Sequence, residues 1–365
     1  VALEQASDFG IARYKATRFA GHATIDMCTG MGGDLIALTS VQMSPDGHSP
    51  DGHSPDGHSP DGHSPEAHSP EAHSPTTSEG SVVGVESNAL LAVLAAENVF
   101  RATGRRVEVR HESCLDTKLD GEWIHIDPDR RSEHGRASDA TYYEPTWNRV
   151  LKLIANSPGG AAKVAPAAEL EEVAGGCQQE WQQEWIERAG QCRQQVIWWK
   201  AAAVTPGRRL ATIVGDDGRV VGQWQQQSEQ SERVVSSQLG DYLLEPSASI
   251  LAGELVDDIA GALNIGRIAP GAVYLTGKHV VHPLLSSFRI IETLPLDKKK
   301  IVAFIRQRMP RSVEVKKRGV EQFDPNELQR NLKKKNCLGD HPPLVVIAAR
   351  MGSTRLAIIA ERVVE

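Results

Sequence analysis

The sequence predicts an α/β protein in which a doubly wound, mostly parallel sheet is followed by a small α/β module at the carboxyl end. Short apolar runs alternate with helical patterns through the first half of the chain. Such alternation with short connections is typical of a parallel sheet covered on both faces. The predicted strands are residues 23–28, 82–86, 107–111, 123–127, 161–165, 196–201 and 210–214. The predicted helices are residues 3–19, 34–42, 88–102 and 148–155, and the Gln/Glu-rich segments 178–195 and 223–238 are predicted as exposed helix or loop.

A different order of elements begins after Asp241. Asp324 followed by Pro325 is typical of a helix start, with the aspartate as N-cap and the proline at the first helical position. The predicted elements are strands 288–293, 312–317, 343–349 and 355–360 and helices 298–308 and 324–335. We therefore expect a doubly wound domain at 1–240, a connecting segment at 241–292 and a compact α/β domain at 293–365.

Charge is unevenly distributed between these parts. Residues 293–365 contain 16 Lys and Arg against 8 Asp and Glu, a balance of +8, whereas the other 292 residues contain 24 against 39, or −15. The carboxyl-terminal domain is therefore suited to a polyanion, and a solvated surface with a local excess of lysine is the alternative. The residues that would contact the polyanion are Lys316, Lys317, Arg318, Lys333, Lys334 and Lys335.

The composition of the 365 residues fits two ordinary domains, because 40% are hydrophobic. Five cysteines, an odd number, fit no disulfide framework, so we expect a reduced, cytoplasmic compartment. No apolar run approaches the roughly 18 residues that a membrane span needs. We expect no membrane association, and the sequence leaves the oligomeric state open. The first residue, Val1, already lies in a helical pattern, so we expect further residues before it.

Residues 44–75 are a tandem repeat with four copies of Ser-Pro-Asp-Gly-His and two of Ser-Pro-Glu-Ala-His. A proline at every fifth position forbids a helix, and the segment offers no apolar side chain to bury. We expect a low-complexity insertion, remote from the carboxyl ends of the strands, where open α/β sheets bind ligands. Its six histidines are interpreted as a product of repeat expansion, with adventitious metal binding as the alternative, and we expect no resident metal.

The strongest local motif joins the first predicted strand to the following helix. A strand that ends near Asp26 is followed by a glycine-rich turn with Gly30 and Gly32, and then by Asp34. Glycines let the backbone turn sharply and approach a ligand, and the helix start offers free N–H groups. Glu86 closes the next strand, 54 residues after Gly32, or 54 − 32 = 22 without the repeat. An acid about 20 residues beyond such a turn binds ribose hydroxyls.

Two details argue against a dinucleotide ligand. Dinucleotide sites have Gly or Ala three residues after the second glycine of the turn, where this chain has Leu35. The fourth predicted strand ends in Asp127-Pro128-Asp129-Arg130-Arg131, which has no part in the dinucleotide pattern.

These motifs together resemble those of class I S-adenosylmethionine-dependent methyltransferases, and the glycine-rich segment is similar to that of trimethylguanosine synthases. Nearly the whole chain resembles a bacterial family that joins such a Rossmann-like domain to a carboxyl-terminal THUMP-like domain, an RNA-binding fold. The segments that carry this likeness are residues 3–6, 127–131, 163–166, 242–246, 273–277 and 315–320. The resemblance implies the cofactor S-adenosylmethionine more firmly than the reaction.

The resemblance also implies roles for individual residues. Contact with the methionine part of the cofactor is implied for Asp26, Cys28, Gly30, Gly32 and Asp34. Glu86 would bind the ribose, and Ser113 or Cys114 would lie against the adenine. Lys15 and Arg18 would either reach the cofactor carboxylate or lie at the surface, and His125 is interpreted as a core residue with satisfied hydrogen bonds.

Asp127 and Pro128 stand where methyltransferases that act on amino groups have an acidic or amide residue and a proline. A side-chain oxygen and a backbone carbonyl there can accept both N–H bonds of an amine and orient its lone pair. Asp129 and Arg130 follow in place of the usual proline and aromatic pair. Arg130 and Arg131 would hold a phosphate, or they would pair with nearby acids and shape the loop. We expect an enzyme that methylates ribosomal or transfer RNA at a base amino group. The alternatives are a non-catalytic cofactor- and RNA-binding module, and a methyltransferase for a small molecule or a protein.

Overall fold

The structure, a computed structural model, describes residues 7–42, 80–129, 131–132, 135–136, 143–168, 170, 180–229, 231–318, 320, 323–334 and 337–363. The repeat at 44–75 and the predicted site residues Arg130 and Lys335 lie outside the described residues. The chain divides into two compact units. The first comprises residues 1–163, 172–174 and 198–204, and the second comprises residues 164–171, 175–197 and 205–365. None of the helices in the described ranges is long and apolar enough to cross a membrane.

The first unit is built on a parallel sheet. Its strands lie in the order β3-β2-β1-β4-β5, and each adjacent pair is parallel. These strands are β1 (Thr24–Met27), β2 (Val82–Glu86), β3 (Val109–His111), β4 (Trp123–Ile126) and β5 (Gly159–Val164). The helices are α1 (Phe9–Ala16), α2 (Gly33–Val41), α3 (Ala89–Thr103) and α4 (Trp147–Asn156), with a 3₁₀ turn at Thr17–Phe19 and a hairpin of Arg131–Ser132 and Gly135–Arg136.

The central strands of this sheet are buried on both faces, as in parallel sheets that helices cover on each side. Every residue of β1, β4 and β5 is buried. Because the strands are parallel, their carboxyl ends lie at one edge, where Asp26, Glu86 and Asp127 are found near the ends of β1, β2 and β4. The sequence motifs are therefore brought to the same edge by the strand order alone.

The glycine-rich turn is shaped by Gly32, which has a φ of 86° and immediately precedes α2. A Cβ atom at this position would lie 3.3 Å from both Cα and the carbonyl oxygen of Ala95 in α3. Glycine thus allows the start of α2 to pack closely against α3, and L-residues are disfavoured at such a φ. The role of Gly32 in this structure is therefore to fix the turn.

The first strands of the second unit correct one sequence prediction. The Gln/Glu-rich segment 178–195, predicted as exposed helix or loop, contributes instead to strands β6 (Trp181–Arg188) and β7 (Gln191–Lys200). In the segment 223–238, residues 223–225 end strand β9 (Val220–Gln225), whereas the other described residues belong to no helix or strand, in agreement with the predicted loop. With β8 (Arg209–Val214) these strands lie in the order β7-β6-β8-β9, and the last three residues of β7 belong to the first unit.

The prediction failed because buried polar side chains are satisfied by partners that are remote in sequence. Glu184 accepts a hydrogen bond from Thr212 Oγ1 at 2.5 Å, and Glu187 accepts one from the backbone of Ser249 at 2.8 Å. A local signal does exist at Ala189-Gly190, where both φ angles are positive, as in the tight turns of β-hairpins.

A second sheet of seven strands completes the second unit, in the order β11-β12-β10-β13-β16-β15-β14. Its strands are β10 (Tyr242–Pro246), β11 (Gly266–Arg267), β12 (Leu275–Gly277), β13 (Leu285–Pro295), β14 (Val313–Lys317), β15 (Leu344–Met351) and β16 (Thr354–Arg362). Its helices are α5 (Ala248–Ala252), α6 (Val256–Ala262), α7 (Lys298–Arg308) and α8 (Pro325–Lys334). Residues 241–292 thus contribute strands to the same sheet as the carboxyl-terminal residues, and the predicted boundaries at 240 and 293 stay a prediction.

Candidate active site

A cavity of about 310 Å³ lies at the carboxyl edge of the first unit's sheet. Nine of the predicted site residues line it: Asp26, Cys28, Gly30, Asp34, Glu86, Ser113, Cys114, Asp127 and Pro128. Gly32 is not among the lining residues, and Arg130 lies outside the described part of the chain. Residues that the sequence analysis did not single out, such as Ser7, Glu144 and Pro145, also line the cavity.

Glu86, at the end of β2, is held by the protein backbone. Its Oε2 accepts a hydrogen bond from the backbone N–H of Gly30 at 2.8 Å, and its Oε1 accepts one from that of Asn88 at 2.9 Å. A carboxylate oxygen can accept more than one hydrogen bond. Both oxygens therefore keep acceptor capacity towards the cavity while the side chain has a fixed direction.

Asp26, in β1, is almost completely buried, with 1% of its surface exposed. Its Oδ1 lies 2.6 Å from His125 Nδ1, whereas its Oδ2 is buried and has no hydrogen-bond partner among the described residues. Burial raises the pKa of the Asp26 carboxyl, although the hydrogen bond with His125 acts in the opposite direction. An unpartnered carboxylate oxygen on a cavity wall is suited to a cationic ligand group, because such a group would satisfy it.

A buried ion pair between Lys15 and Asp34 lies directly after the glycine-rich turn, at the start of α2. Lys15 in α1 has 1% of its surface exposed, and its Nζ lies 2.8 Å from Asp34 Oδ1 and 2.9 Å from His125 Nε2. Burial alone would raise the pKa of Asp34, but Lys15, His125 and Lys163 hold it below its ordinary value. Lys15 therefore neither lies at the surface nor lines the cavity. The interpretation of His125 as a hydrogen-bonded core residue is confirmed.

Asp127 is held by a second buried lysine. Lys163, in β5, places its Nζ 2.6 Å from Asp127 Oδ2 and 3.0 Å from Ser7 Oγ. Ser7 in turn donates a hydrogen bond to Asp34 Oδ2 at 2.5 Å. The sequence analysis assigned no role to Lys163 or Ser7. A signal was available in the sequence, because Lys163 is a charged residue inside the apolar run 161–165. A buried strand tolerates a charged side chain only when that side chain has a partner.

Two free thiols meet on the cavity wall. Cys28 Sγ and Cys114 Sγ are 4.0 Å apart, and Cys28 adopts a φ of 60°, which non-glycine residues rarely do. The pKa of Cys28 is raised by its hydrogen bond with Cys114 and by burial, whereas the same hydrogen bond lowers the pKa of Cys114. No group of three or more His, Cys, Asp or Glu side chains that could hold a metal ion occurs among the residues described.

Among the described residues that line the cavity, none has an aromatic side chain. The apolar part of the wall comes from shorter side chains, among them Leu115, Pro128 and Pro145. Asp129 and Glu144 exchange backbone hydrogen bonds of 2.9 Å in both directions, which joins the segment after β4 to the segment before α4. This pairing keeps Pro128 and Pro145 on one rim.

The basic residues predicted in the carboxyl-terminal domain fall into different environments. Lys316 forms an ion pair with Glu245 and lies over the ring of Phe288, so it is only partly exposed. Lys317, the last residue of β14, is exposed. Arg318 is exposed and near Tyr274, whose pKa is raised by burial first and then by Glu245, with Arg318 opposing. Lys333 and Lys334, at the end of α8, are exposed.

Comparison with known proteins agrees with this architecture. The sequence model of the family described as THUMP domain-like matches residues 285–362. In two strains of Mycobacterium tuberculosis, a protein named an uncharacterized S-adenosylmethionine-dependent methyltransferase is 24% identical over 356 residues, which cover 98% of this chain and 85% of that protein. The crystal structure of a candidate methyltransferase from Porphyromonas gingivalis has a TM-score of 0.71 and 16% identity, and the match covers 100% of this chain and 82% of that one.

The fold is that of a class I methyltransferase, as the strand order and the motifs at the carboxyl edge had predicted. More particularly, the chain is an S-adenosylmethionine-dependent methyltransferase with a THUMP-like domain at its carboxyl end. The predicted fold class, enzyme class and cofactor are thereby confirmed.

Proposed function

We propose that this enzyme transfers the methyl group of S-adenosylmethionine to an amino group on a base of RNA, ribosomal or transfer RNA being the expected substrates. The observation that carries the proposal is the position of Asp127 and Pro128. Both line the same cavity as Asp26 and Glu86. The groups proposed to orient the amine and those proposed to hold the cofactor therefore face one space, as direct transfer requires.

The cavity residues fit the cofactor. In this proposal Glu86 accepts hydrogen bonds from the ribose hydroxyls, a role that suits a carboxylate fixed by two backbone amides. The buried, unpartnered Oδ2 of Asp26 accepts a hydrogen bond from the ammonium of the methionine part. The remaining proposed contacts are Cys28, Gly30 and Asp34 with the methionine part, and Ser113 and Cys114 with the adenine. Bound there, the cofactor supplies an electrophilic methyl group on a sulfonium sulfur.

Asp127 and Pro128 contribute by positioning the amine. Lys163 donates a hydrogen bond of 2.6 Å to Asp127 Oδ2, so that Oδ1 faces the substrate as the free acceptor. In the proposal Oδ1 accepts one N–H of the amine and the carbonyl oxygen of Pro128 accepts the other. The nitrogen lone pair then points at the methyl group, and orientation of this kind is a large contribution to catalysis. With the cofactor bound, the methyl–sulfur bond would break as the nitrogen–carbon bond forms, S-adenosylhomocysteine would leave, and the nitrogen would release one proton to solvent.

The assignment of RNA as the substrate is supported by the carboxyl-terminal domain. The THUMP-like match covers residues 285–362 and overlaps most of the region 293–365, whose Lys and Arg exceed its Asp and Glu. Lys317, Lys333 and Lys334 are exposed there and make no ion pair within the described part of the chain. Exposed cations of this kind bind nucleic acid by releasing counterions from its phosphates.

The decisive experiment compares methylated nucleosides, by mass spectrometry, in RNA from cells with and without the gene. One methylated base should be missing without the gene, and the purified enzyme with labelled S-adenosylmethionine should restore it. Label transferred to protein or to a small molecule instead would favour the corresponding alternative. Cofactor binding without transfer to any of these would favour a non-catalytic RNA-binding module.

A further inference from the structure

A second cavity, of about 670 Å³, lies in the first unit beside the cofactor cavity. Three of its lining residues are basic: Lys118, Arg149 and Lys152. None of the described residues that line it is acidic. The positive charge of this lining is opposite in sign to the net charge of residues 1–292, which contain 24 Lys and Arg against 39 Asp and Glu. We refer to this cavity as the basic groove.

The basic groove and the cofactor cavity share walls. Leu115 lines both of them. Along the segment after β3, Cys114 faces the cofactor cavity and Lys118 faces the groove. On the other side, Pro145 lines the cofactor cavity and Arg149, in the first turn of α4, lines the groove. A ligand in the groove would therefore lie next to the cofactor cavity, whose lining includes Asp127 and Pro128.

One face of α4 forms a wall of the groove. Arg149, Lys152, Leu153 and Asn156 follow the spacing of three and four residues that places side chains on one side of a helix. Lys152 and Asn156 are exposed, and Leu153 is buried beneath them. The groove thus offers three kinds of contact: an apolar surface at Leu115, which is 38% exposed, an amide at Asn156, and the three basic side chains. This combination suits a sugar-phosphate chain better than a free inorganic anion, because the sugar and base edges also find partners.

The cations of the groove are poorly neutralised by the protein itself. Arg149 Nη1 lies 3.5 Å from Glu144 Oε1, and both side chains are mostly exposed. Lys118 and Lys152 make no ion pair with any residue that the structure describes. Like charges that share one groove repel each other, and a bound anion would remove this repulsion. Phosphate groups are the anions that such lysines and arginines bind best.

We propose that the basic groove binds the RNA backbone next to the nucleotide that is methylated. Lys118 and Lys152 contact its phosphates, and Arg149 does so from the side nearer to Pro145. This inference rests on the proposed function and adds a contact surface in the first unit to the one proposed in the THUMP-like domain. The groove thereby helps to place the target base over Asp127, so its loss should affect the use of RNA and not the binding of the cofactor.

The test uses the full chain and a short, mixed-sequence, single-stranded RNA whose affinity is measured by fluorescence anisotropy at several salt concentrations. The double variants are Lys118→Ala with Lys152→Ala, and the charge reversal Lys118→Glu with Lys152→Glu. We expect weaker binding and a salt dependence that is flatter by about 0.7 in slope for each phosphate that the protein no longer neutralises. The reversal should weaken binding more than the alanine pair. In the methylation assay, KM for RNA should rise while the affinity for S-adenosylmethionine is unchanged.

Arg105→Ala with Arg106→Ala is the matched control. These two exposed cations lie in the same unit but precede β3, at the opposite edge of the sheet. If the lysine variants match wild type or this control in affinity and salt slope while wild type methylates RNA, the groove assignment is wrong and the proposed function stands. If wild type neither binds nor methylates RNA, both proposals are overturned.

Discussion

Two groups of lysines in this molecule differ in burial, in partners and in what their removal should do. Lys15 and Lys163, in the first unit, are buried, and each Nζ lies within hydrogen-bond distance of a carboxylate, at 2.8 and 2.6 Å. Lys333 and Lys334, in the second unit, are exposed and make no ion pair within the described ranges. The first pair therefore stabilises the folded protein, whereas the second pair is available to a ligand.

The largest expected effect is that of Lys15→Met. Removing the lysine leaves Asp34 buried without its main counter-charge, and breaking a buried ion pair costs about 3–5 kcal/mol of unfolding free energy. Urea denaturation of the full chain measures this difference. Lys333→Met is the control, because surface substitutions change stability by less than about 0.5 kcal/mol. If Lys15→Met lowered the unfolding free energy as little as the control does, the buried ion pair would contribute little to stability.

A second prediction concerns the pH dependence of stability at Asp34. Its pKa is lower in the folded state than in the unfolded chain, so the folded protein binds fewer protons there. The stabilisation from Asp34 is then complete above the ordinary aspartate pKa of about 3.9, and it is lost as the pH falls towards the lower folded pKa. Denaturation curves of wild type and Asp34→Asn should therefore differ most near neutral pH and converge in acid. A difference that grows in acid would contradict this sign.

An effect on cofactor binding is expected for Glu86→Ala, which removes an acceptor from the cavity wall. Without the ribose hydrogen bonds, cofactor binding should weaken by about 1.5–3 kcal/mol for each hydrogen bond to the charged group. Titration calorimetry with S-adenosylmethionine measures this loss of binding free energy. Glu97→Ala is the matched control, because this exposed carboxylate pairs with Arg101 on the surface of α3 and does not line the cavity. Tighter binding of NADH than of S-adenosylmethionine by wild type would refute the cofactor site itself.

The smallest effect on stability, combined with a clear effect on binding, is expected for Lys317→Ala with Lys333→Ala and Lys334→Ala. Unfolding free energy should change by less than about 0.5 kcal/mol, since all three side chains are exposed. RNA binding should weaken, and its salt dependence should become flatter by up to about 0.7 in slope for each lysine that had neutralised a phosphate. Lys316→Ala serves as the contrast, because its pair with Glu245 makes it a structural residue. Unchanged RNA affinity in the triple variant would show that these lysines are only a solvated surface.

Much of the site was predictable from the sequence because its signals are local or depend on strand order. The glycine-rich turn, the acid at Glu86 and the pair Asp127-Pro128 each follow a strand, and parallel strands bring such positions to one edge. Helix α7, Lys298–Arg308, coincides with its prediction, because Asp297 caps it by accepting hydrogen bonds from the N–H groups of Lys299 and Lys300.

The strands and the site residue that could not be predicted from the sequence depend on contacts between residues that are distant in the chain. Lys163 pairs with Asp127, 36 residues away, and Glu184 is satisfied by Thr212, 28 residues away. A polar residue looks exposed in a sequence unless its partner is known, and no periodicity identifies that partner. This is why two polar strands were predicted as helix or loop and why Lys163 was given no role.

The ion pair between Lys15 and Asp34 has a consequence for how related sequences vary. The lysine lies in the helix before the sheet and the aspartate at the start of α2, yet each makes the other tolerable in the interior. A relative in which position 15 is neutral should therefore also have a neutral residue at position 34, and the reverse. The residues at the two positions should therefore change together. For the same reason, transfer of the glycine-rich motif with Asp34 into another protein would require α1, which contains Lys15, to be transferred as well.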